Sequence, residues 1–496
     1  MKLYLTGHDY KYAAEQIMLT MFPGERPEYP EGVPNGERAE LVLFDGQSIA
    51  TAKCRLYTGC GFFIGEARVS RGKFEDAIIR ERLLQRIIKL AFYRAAKKAL
   101  GTRPLWGALT GIRPGKIMTA YLEDGLSPRR AVNKMIEEYD VSREKANLCL
   151  DTAFAGLDEK KKLGDDEVCL YIGIPFCPTR CAYCSFVSLS VEKSLKLIPD
   201  YLRALTVDIQ KTGDTLAHLG IRPAAIYLGG GTPTTLSAAE MRELLTCIKV
   251  AFDLSAVREY TVEAGRPDTI TREKLEVLHD FGVNRLSINP QSMDDSVLEA
   301  IGRRHSTADI IESYELARKV GDFAINMDLI AGLPSDIYGG FVRSLDTVVG
   351  MKPENITVHT LSMKKGSKIM LEGVPVPQGD EVRDMVDYSM QTLAAAEYSP
   401  YYLYRQKYIS GGLENVGWSK DGFCGLYNIC IMEEYLSIIS MGGGASTKLV
   451  TGDGRIERLF APKYPEQYIG AMGRILNDKK KIEKFWLENI SRNRKV

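Results

Sequence analysis

No sign of charge prevails in this sequence. Its 496 residues hold 65 Lys+Arg against 64 Asp+Glu, a formal net charge of +1, so no global electrostatic drive toward nucleic acid or a membrane surface exists. Short basic runs such as Lys160-Lys161-Lys162 and Lys479-Lys480-Lys481 read as solvated surface. Nowhere do ~18 apolar residues run unbroken, which speaks against a spanning helix. The opening MKLYLTGHDYKYAAEQ lacks an apolar signal-peptide core. Ten cysteines without an export signal point to a reducing compartment, with thiols used for metal binding or burial rather than disulfides. The expected location is the cytoplasm. No internal repeat or low-complexity tract is present, and no histidine follows His359.

What is there fits an ordinary globular chain, 45% hydrophobic and 26% charged, long enough for two or three domains. The pattern separates three regions. Residues 1–165 are expected to form an N-terminal α+β accessory domain: KLYLTG and AELVLFDG read as strands, Ala13–Met21 as a helix, and Phe74–Leu100 as a long amphipathic helix closed by Gly101 and Pro104. The charged stretch Asp158–Glu167 reads as a linker. Residues 166–375 alternate short apolar runs with amphipathic helices. CLYIGIPF, AAIYLGGG, EYTVEAG, RLSINP, INMDLIAGLP and NITVHTLS are the strands; Leu197–Lys211, Ala238–Phe252, Arg272–Phe281, Thr307–Val320 and Gly340–Met351 are the helices. Such alternation predicts an α/β fold with a parallel sheet and right-handed crossovers. Six βα units do not close an eight-stranded barrel, so a partial (β/α)6 barrel is expected, with its site at the C-terminal strand ends. Residues 376–496 are expected to form an α+β cap or substrate domain, beginning with a helix near Val382–Ala396 and ending in a basic helix.

The chemistry concentrates in YIGIPFCPTRCAYCSF, where Cys177, Cys181 and Cys184 make C-x3-C-x2-C directly after a predicted strand. Three thiolates on one loop can hold three irons of a cubane and leave the fourth open. A small molecule with an amine and a carboxylate can chelate that iron, and S-adenosylmethionine (SAM) is such a molecule. A zinc site wants four ligands, and no fourth Cys or His stands at a finger-like spacing. Zinc, or simply buried cysteines, stay open as alternatives on the residues alone.

This region resembles the radical SAM superfamily, in the group around oxygen-independent coproporphyrinogen III oxidase. The resemblance implies a [4Fe–4S] cluster on Cys177, Cys181 and Cys184, with SAM on the open iron. It implies that Gly230, Gly231 and Thr232, in GGGTPT after the second strand, contact the amino group of SAM; glycines there allow positive φ and close approach. It further implies that Glu263, Gln291, Arg303 and Asp328 contact the ribose and carboxylate of SAM. A carboxylate can accept from ribose hydroxyls, and Arg can pair with a carboxylate through two bonds. Arg304 adjoins Arg303, so the choice between them is a matter of register. Tyr171 and Tyr183 resemble aromatic positions flanking the methionine and adenine, and Ile330 and Ser362 resemble backbone-mediated adenine contacts.

The best-characterised oxidases of the group carry a further cysteine two positions after the third ligand; here Phe186 stands there. That departure, with WGALTGIRPGK (Trp106–Lys116) and YYLYRQKYISGGLENVGW (Tyr401–Trp418), resembles the HemZ-type branch. The resemblance implies oxidative decarboxylation of coproporphyrinogen III to protoporphyrinogen IX in porphyrin and haem biosynthesis, with a reductant such as flavodoxin or ferredoxin as partner. The substrate's four carboxylates call for cationic groups, for which Arg405, Lys407 and His359 are candidates, and Tyr398–Tyr408 reads either as an aromatic wall for a tetrapyrrole or as a packed strand. Two alternatives share the motifs: a haem-binding or haem-delivery protein, and a methyltransferase acting on haem. Haem chaperones use a His-containing motif, and the lack of histidine after His359 counts against that reading. Cys424 and Cys430, six apart without further partners, read as buried rather than as a second cluster.

Overall fold

The computed structural model describes residues 1–184, 189–190, 195–364, 366–406, 409–452 and 454–493. Phe186, Lys407 and Tyr408 lie outside the described residues. The chain folds into two units, Met1–Leu150 and Asp151–Val496.

The first unit is built on one alternating sheet. Strand β1 (Lys2–Thr6) runs parallel to β2 (Arg38–Asp45), and β3 (Ile49–Thr58) and β4 (Gly61–Ser70) continue antiparallel in the order β1-β2-β3-β4. Every second residue of β2, β3 and β4 is small or aliphatic: Ala39, Leu41 and Leu43, then Ala50, Ala52, Cys54 and Leu56, then Ala67 and Val69, all buried. That face forms one core with helices α1 (Lys11–Met21) and α2 (Ala77–Leu100), through Ile17, Met18, Ile87, Ile88 and Phe92. Helix α2 starts where the Asp76 side chain accepts from the Ile79 amide and ends at Gly101, in the left-handed region at φ 66°. Its approach to β4 is close enough that a Cβ on Gly65 would lie 2.0 Å from the Ala91 carbonyl oxygen. Helices α3 (Gly115–Glu123), α4 (Pro128–Tyr139) and α5 (Arg143–Lys160) follow. The WGALTG segment is a buried turn against the end of α4: Trp106 is 2% exposed and the Ala108 amide donates to the Tyr139 carbonyl at 2.8 Å. Part of the stretch read as a linker is helical. Asp158–Lys160 are the end of α5, whose solvated last turn and the turn after it carry the pairs Lys161–Asp158 and Lys162–Glu159 at 2.7 and 2.6 Å.

In the second unit the six expected strands form, in chain order and all parallel: β5 (Glu167–Ile174), then, beyond the short β6 (Phe176–Cys177) and β7 (Leu189–Ser190), β8 (Arg222–Gly230), β9 (Glu259–Glu263), β10 (Arg285–Ser287), β11 (Ala324–Ala331) and β12 (Asn355–Thr360). This is a partial (β/α)6 barrel. Helices α6 (Ile198–Leu219), α7 (Ala238–Ala251), α8 (Arg272–Asp280), α9 (Asp295–Ala300), α10 (Thr307–Val320) and α11 (Tyr338–Met351) connect the strands. Four of the six, α7 to α10, start at a side-chain cap, with reciprocal boxes at Ser237/Glu240 and Ser306/Asp309. Helix α6 runs two turns beyond the expected Lys211, because its apolar stripe continues through Leu216 and only Gly220, at φ 67°, stops it.

The rest of the chain, with α12 (Lys368–Glu372), α13 (Gly379–Ala395), α14 (Leu426–Glu433), α15 (Pro465–Gly470) and α16 (Met472–Asn493), extends this sheet at both ends. Strand β14 (Asn415–Ser419) pairs antiparallel with β12 and carries β13 (Ser399–Tyr404) outside it. At the opposite edge β15 (Ile438–Met441) pairs parallel with β5, followed by β16 (Ser446–Val450) and β17 (Ile456–Phe460). The edges of the six-stranded core are therefore covered by main-chain pairing, eleven strands in all. Among the described residues no helix is long and apolar enough to cross a membrane.

Candidate active site

Polar side chains recur at every second position on one face of the barrel strands, and they bond to one another across the strands. The Tyr227 hydroxyl donates to Glu263 Oε1 at 2.5 Å, and the Gly230 amide donates to Glu263 Oε2 at 3.2 Å. Asn326 Nδ2 donates to Asp328 Oδ1 at 2.7 Å, Thr357 Oγ1 donates to Asn326 Oδ1 at 3.0 Å, and His359 Nε2 lies 3.6 Å from Asp328 Oδ2. Strand β13 adds Tyr404, whose hydroxyl is 3.3 Å from His359 Nδ1. Tyr171, Tyr227 and Tyr427 stack as a layer of three rings, with Tyr227 and Tyr427 at 4.4 Å between centroids.

The two buried carboxylates titrate in opposite directions. Burial pushes Glu263 up, the neighbouring Asp328 adds to it, and the Tyr227 and Gly230 bonds only partly offset them, leaving its pKa at about 7. Burial also acts on Asp328, but His359, Asn326 and Thr357 outweigh it and hold that carboxyl below its ordinary value. One acid near neutrality thus stands beside one fixed anion.

The cysteine loop lies at the C-terminal ends of these strands. Cys177 ends β6, and the Thr232 hydroxyl points to its sulfur at 3.6 Å. Cys181 is buried, and the Cys184 amide closes a turn onto its carbonyl at 3.1 Å. The glycine shelf beside the loop is shaped by close backbone approach. Gly230 sits at φ 110°, and a Cβ on Gly231 would lie 2.4 Å from the Phe176 carbonyl oxygen. Gln291 is a non-glycine residue at φ 68°; its amide donates to the Asp328 carbonyl, and its own carbonyl accepts from Ile330. That strained turn is held from both sides.

The two adjacent arginines differ in burial. Arg303 is 8% exposed, whereas Arg304 faces outward. Arg303 donates to the carbonyls of Asn289 (2.6 Å) and Gly265 (3.3 Å) and to the Tyr183 hydroxyl (3.2 Å). Burial works against its charge; Tyr183 and Cys181 outweigh that and keep it protonated. Tyr183 is thereby tied to the barrel through Arg303. Ile330 is buried next to the Gln291 turn, and Ser362 bridges to Ile409. Arg405, a candidate for substrate carboxylates, is buried and donates to the Gly412 carbonyl at 2.8 Å. Cys430 is buried beside Cys169, and Cys424 lies 3.3 Å from Ser419 Oγ, so the two are not a pair.

Residues 171–348 match the family model of the radical SAM superfamily. Over 375 residues the chain is 42% identical to the "Oxygen-independent coproporphyrinogen-III oxidase-like protein HemZ" of Bacillus subtilis (strain 168), covering 74% of this chain and 75% of the relative. The chain belongs to the radical SAM superfamily. Within it the "Heme chaperone HemW" of the same organism is 29% identical, over 62% of this chain and 90% of the relative. The solved coproporphyrinogen III oxidase HemN of Escherichia coli shares the fold at a TM-score of 0.51 and 20% identity, over 65% of this chain and 72% of that one.

Radical SAM proteins bind a [4Fe–4S] cluster and SAM, and the donor set here suits both. Cys177, Cys181 and Cys184 lie on one loop, and the Thr232 hydroxyl of the glycine shelf reaches the Cys177 sulfur at 3.6 Å. Near the shelf, Asn289 Oδ1 and Arg303 Nε are buried without a hydrogen-bond partner, as befits the lining of a pocket for a polar ligand.

Sequence reasoning missed Tyr227, Tyr427, Asn326 and Thr357, and also Arg266, which is 3% exposed and donates to Thr179 Oγ1 at 2.6 Å within the cysteine loop. The first, third and fourth had a signal: a polar residue two places before another polar or glycine position in an otherwise apolar strand. Tyr427 had none, since a helix from the last region delivers it.

Proposed function

We propose that this chain is a radical SAM oxidoreductase that converts coproporphyrinogen III to protoporphyrinogen IX by oxygen-independent oxidative decarboxylation of two propionates. The observation that carries this reading is a cysteine loop meeting a polar barrel face in a chain so similar, over three-quarters of the relative, to an oxidase-like protein. In this reading Cys177, Cys181 and Cys184 hold three irons. Gly230, Gly231 and Thr232 receive the amino group of SAM, while Glu263, Gln291, Arg303 and Asp328 receive its ribose and carboxylate. Tyr171, Tyr183, Ile330 and Ser362 flank it. When bound, the cluster and SAM would supply the hydrogen-atom abstraction that the propionate β-carbon requires.

The chain's own residues do the rest. His359 and Asn326 keep Asp328 ionised, so it accepts from hydroxyl donors throughout the neutral range. The stacked Tyr171, Tyr227 and Tyr427 fill the barrel beneath the shelf and exclude water from it. His359 is half-buried, its Nε2 3.6 Å from Asp328 Oδ2 and its Nδ1 3.3 Å from the Tyr404 hydroxyl.

The test is an anaerobic assay of reconstituted protein with coproporphyrinogen III. SAM-dependent loss of two CO2 per porphyrinogen, read by mass spectrometry, is the expected result; SAM cleavage with an unchanged porphyrinogen would remove this reaction. The relatives named haem chaperones give a second reading, haem binding and delivery. Stoichiometric haem binding without 5′-deoxyadenosine formation would favour it.

A further inference from the structure

We infer that the groove walled by the first half of the cysteine loop is the docking site for an acidic one-electron carrier protein, of the flavodoxin or ferredoxin kind. The inference rests on the cluster reading above: an electron must reach the cysteine loop from outside.

A groove of about 740 Å³ opens at the surface where Pro178, Thr179 and Arg180 meet the turn Gly302–Ser306. These three residues are the whole span between Cys177 and Cys181, so the groove wall is the backbone that joins two cluster thiols. The wall is held by hydrogen bonds. Thr179 Oγ1 donates to the Gly302 carbonyl at 3.2 Å and accepts from Arg266, itself paired with Asp268 at 3.0 Å. Arg180 donates to the Gly366 carbonyl at 2.9 Å. A path that holds still on encounter suits electron transfer better than a mobile loop.

The rim carries the recognition chemistry. Arg180, Arg304 and Lys368 are exposed around the groove, and among the described residues none of them forms an ion pair. Beside Lys368, on the same short helix, Met370 and Leu371 are 44% and 72% exposed. An apolar spot with an unpaired basic rim fits a partner whose cofactor edge is ringed by carboxylates. Two acids share the groove: Asp295 is engaged, accepting from the Thr307 amide at 2.7 Å, and Glu299 is exposed in the same lining. Glu299 therefore opposes the partner and gives the test a second sign. In the step itself the carrier loses one electron and the cluster gains it; no bond forms or breaks.

The experiment compares anaerobically reconstituted wild type, the triple variant Arg180→Glu/Arg304→Glu/Lys368→Glu, and Glu299→Lys. Each is reduced with dithionite or with reduced flavodoxin, and cluster bleaching is followed by stopped flow. Separately, flavodoxin is joined to each protein by a zero-length carbodiimide and the cross-links are mapped by mass spectrometry. With dithionite all three should bleach alike. With flavodoxin at low salt the triple variant should slow by about tenfold or more, Glu299→Lys should speed up, and the wild-type cross-link should fall on Lys368. A flavodoxin rate unchanged in the triple variant, an equal loss under dithionite, or cross-links away from this rim would overturn the proposal. Failure of dithionite to reduce even the wild type would instead remove the cluster reading, and the docking site with it.

Discussion

The two sheets of this molecule fill their inner faces with opposite chemistry, one fully buried and the other partly open. In the first unit the covered face is Ala, Leu, Val and Cys, pressed dry against α1 and α2. In the barrel the corresponding positions are Tyr171, Tyr227, Thr261, Glu263, Asn326, Asp328, Thr357 and His359, each bonded or stacked onto a neighbour. An apolar face stabilises through area removed from water, at about 25 cal/mol per Å², and asks little of its neighbours beyond volume. A polar interior gains far less net stability per contact and is costly wherever one partner is missing. The barrel therefore carries a burden that stability alone does not explain, and a bound polar ligand does. The difference also predicts how each region breaks.

The largest effect should come from the barrel's cysteine loop. Cys181→Ala should abolish the cubane signal in Mössbauer spectra of iron-reconstituted protein and eliminate 5′-deoxyadenosine formation. Hydrogen-exchange protection within residues 1–150 should stay as it was. A protein that keeps its cubane after this change would refute the ligand assignment. The mirror-image change is smaller in energy and opposite in place. Leu41→Ala removes a fully buried side chain from the dry face and should cost about 2–5 kcal/mol. It should lower exchange protection across β2, β3 and α2 while iron content stays at the wild-type level. Equal losses in both regions from either variant would mean that the contrast between them has no functional content.

The same contrast explains what the sequence could and could not say. The six barrel strands and five of their six helices, all but α9, follow from apolar runs alternating with helical periodicity, and the structure places α10 at Thr307–Val320 as read. The cysteine loop was legible because spacing along the chain is itself the chemistry. Strands β3 and β4 escaped because Ala, Thr, Lys and Gly dilute their alternation, although their partners complete it in space. Strands β14 and β15 closing onto β12 and β5 were also out of reach, since an edge pairing over more than 50 or 250 residues leaves no local trace. The aromatic layer failed for a related reason: Tyr427 faces Tyr227 only because the last region returns to the barrel. For Arg303 the motif was visible, but the direction of its side chain was set by the carbonyls of Gly265 and Asn289, which belong to two other strand ends.

The smallest predicted effect is the most specific to the polar interior, and it concerns pH. Glu263 titrates at about 7 in the folded chain against an ordinary 4.5, so between these values the folded state holds a proton that the unfolded state has released. Stability must then fall as pH rises through that window and level off above it. Asp328 has the opposite sign. Its lowered pKa contributes stability above the ordinary 3.8 that is lost only as pH falls below it, so the two windows do not overlap. Glu263→Gln should therefore flatten the dependence of urea stability on pH between about 5 and 7.5 in the metal-free chain, leaving the acid limb unchanged. Asp328→Asn should also shrink the slope, because the neighbouring negative charge helps to raise Glu263. No such slope can arise in the first unit's dry face, where no carboxylate is buried. An identical slope in wild type and Glu263→Gln would show that the proton is held elsewhere, and Glu263 would then be as fixed an anion as Asp328.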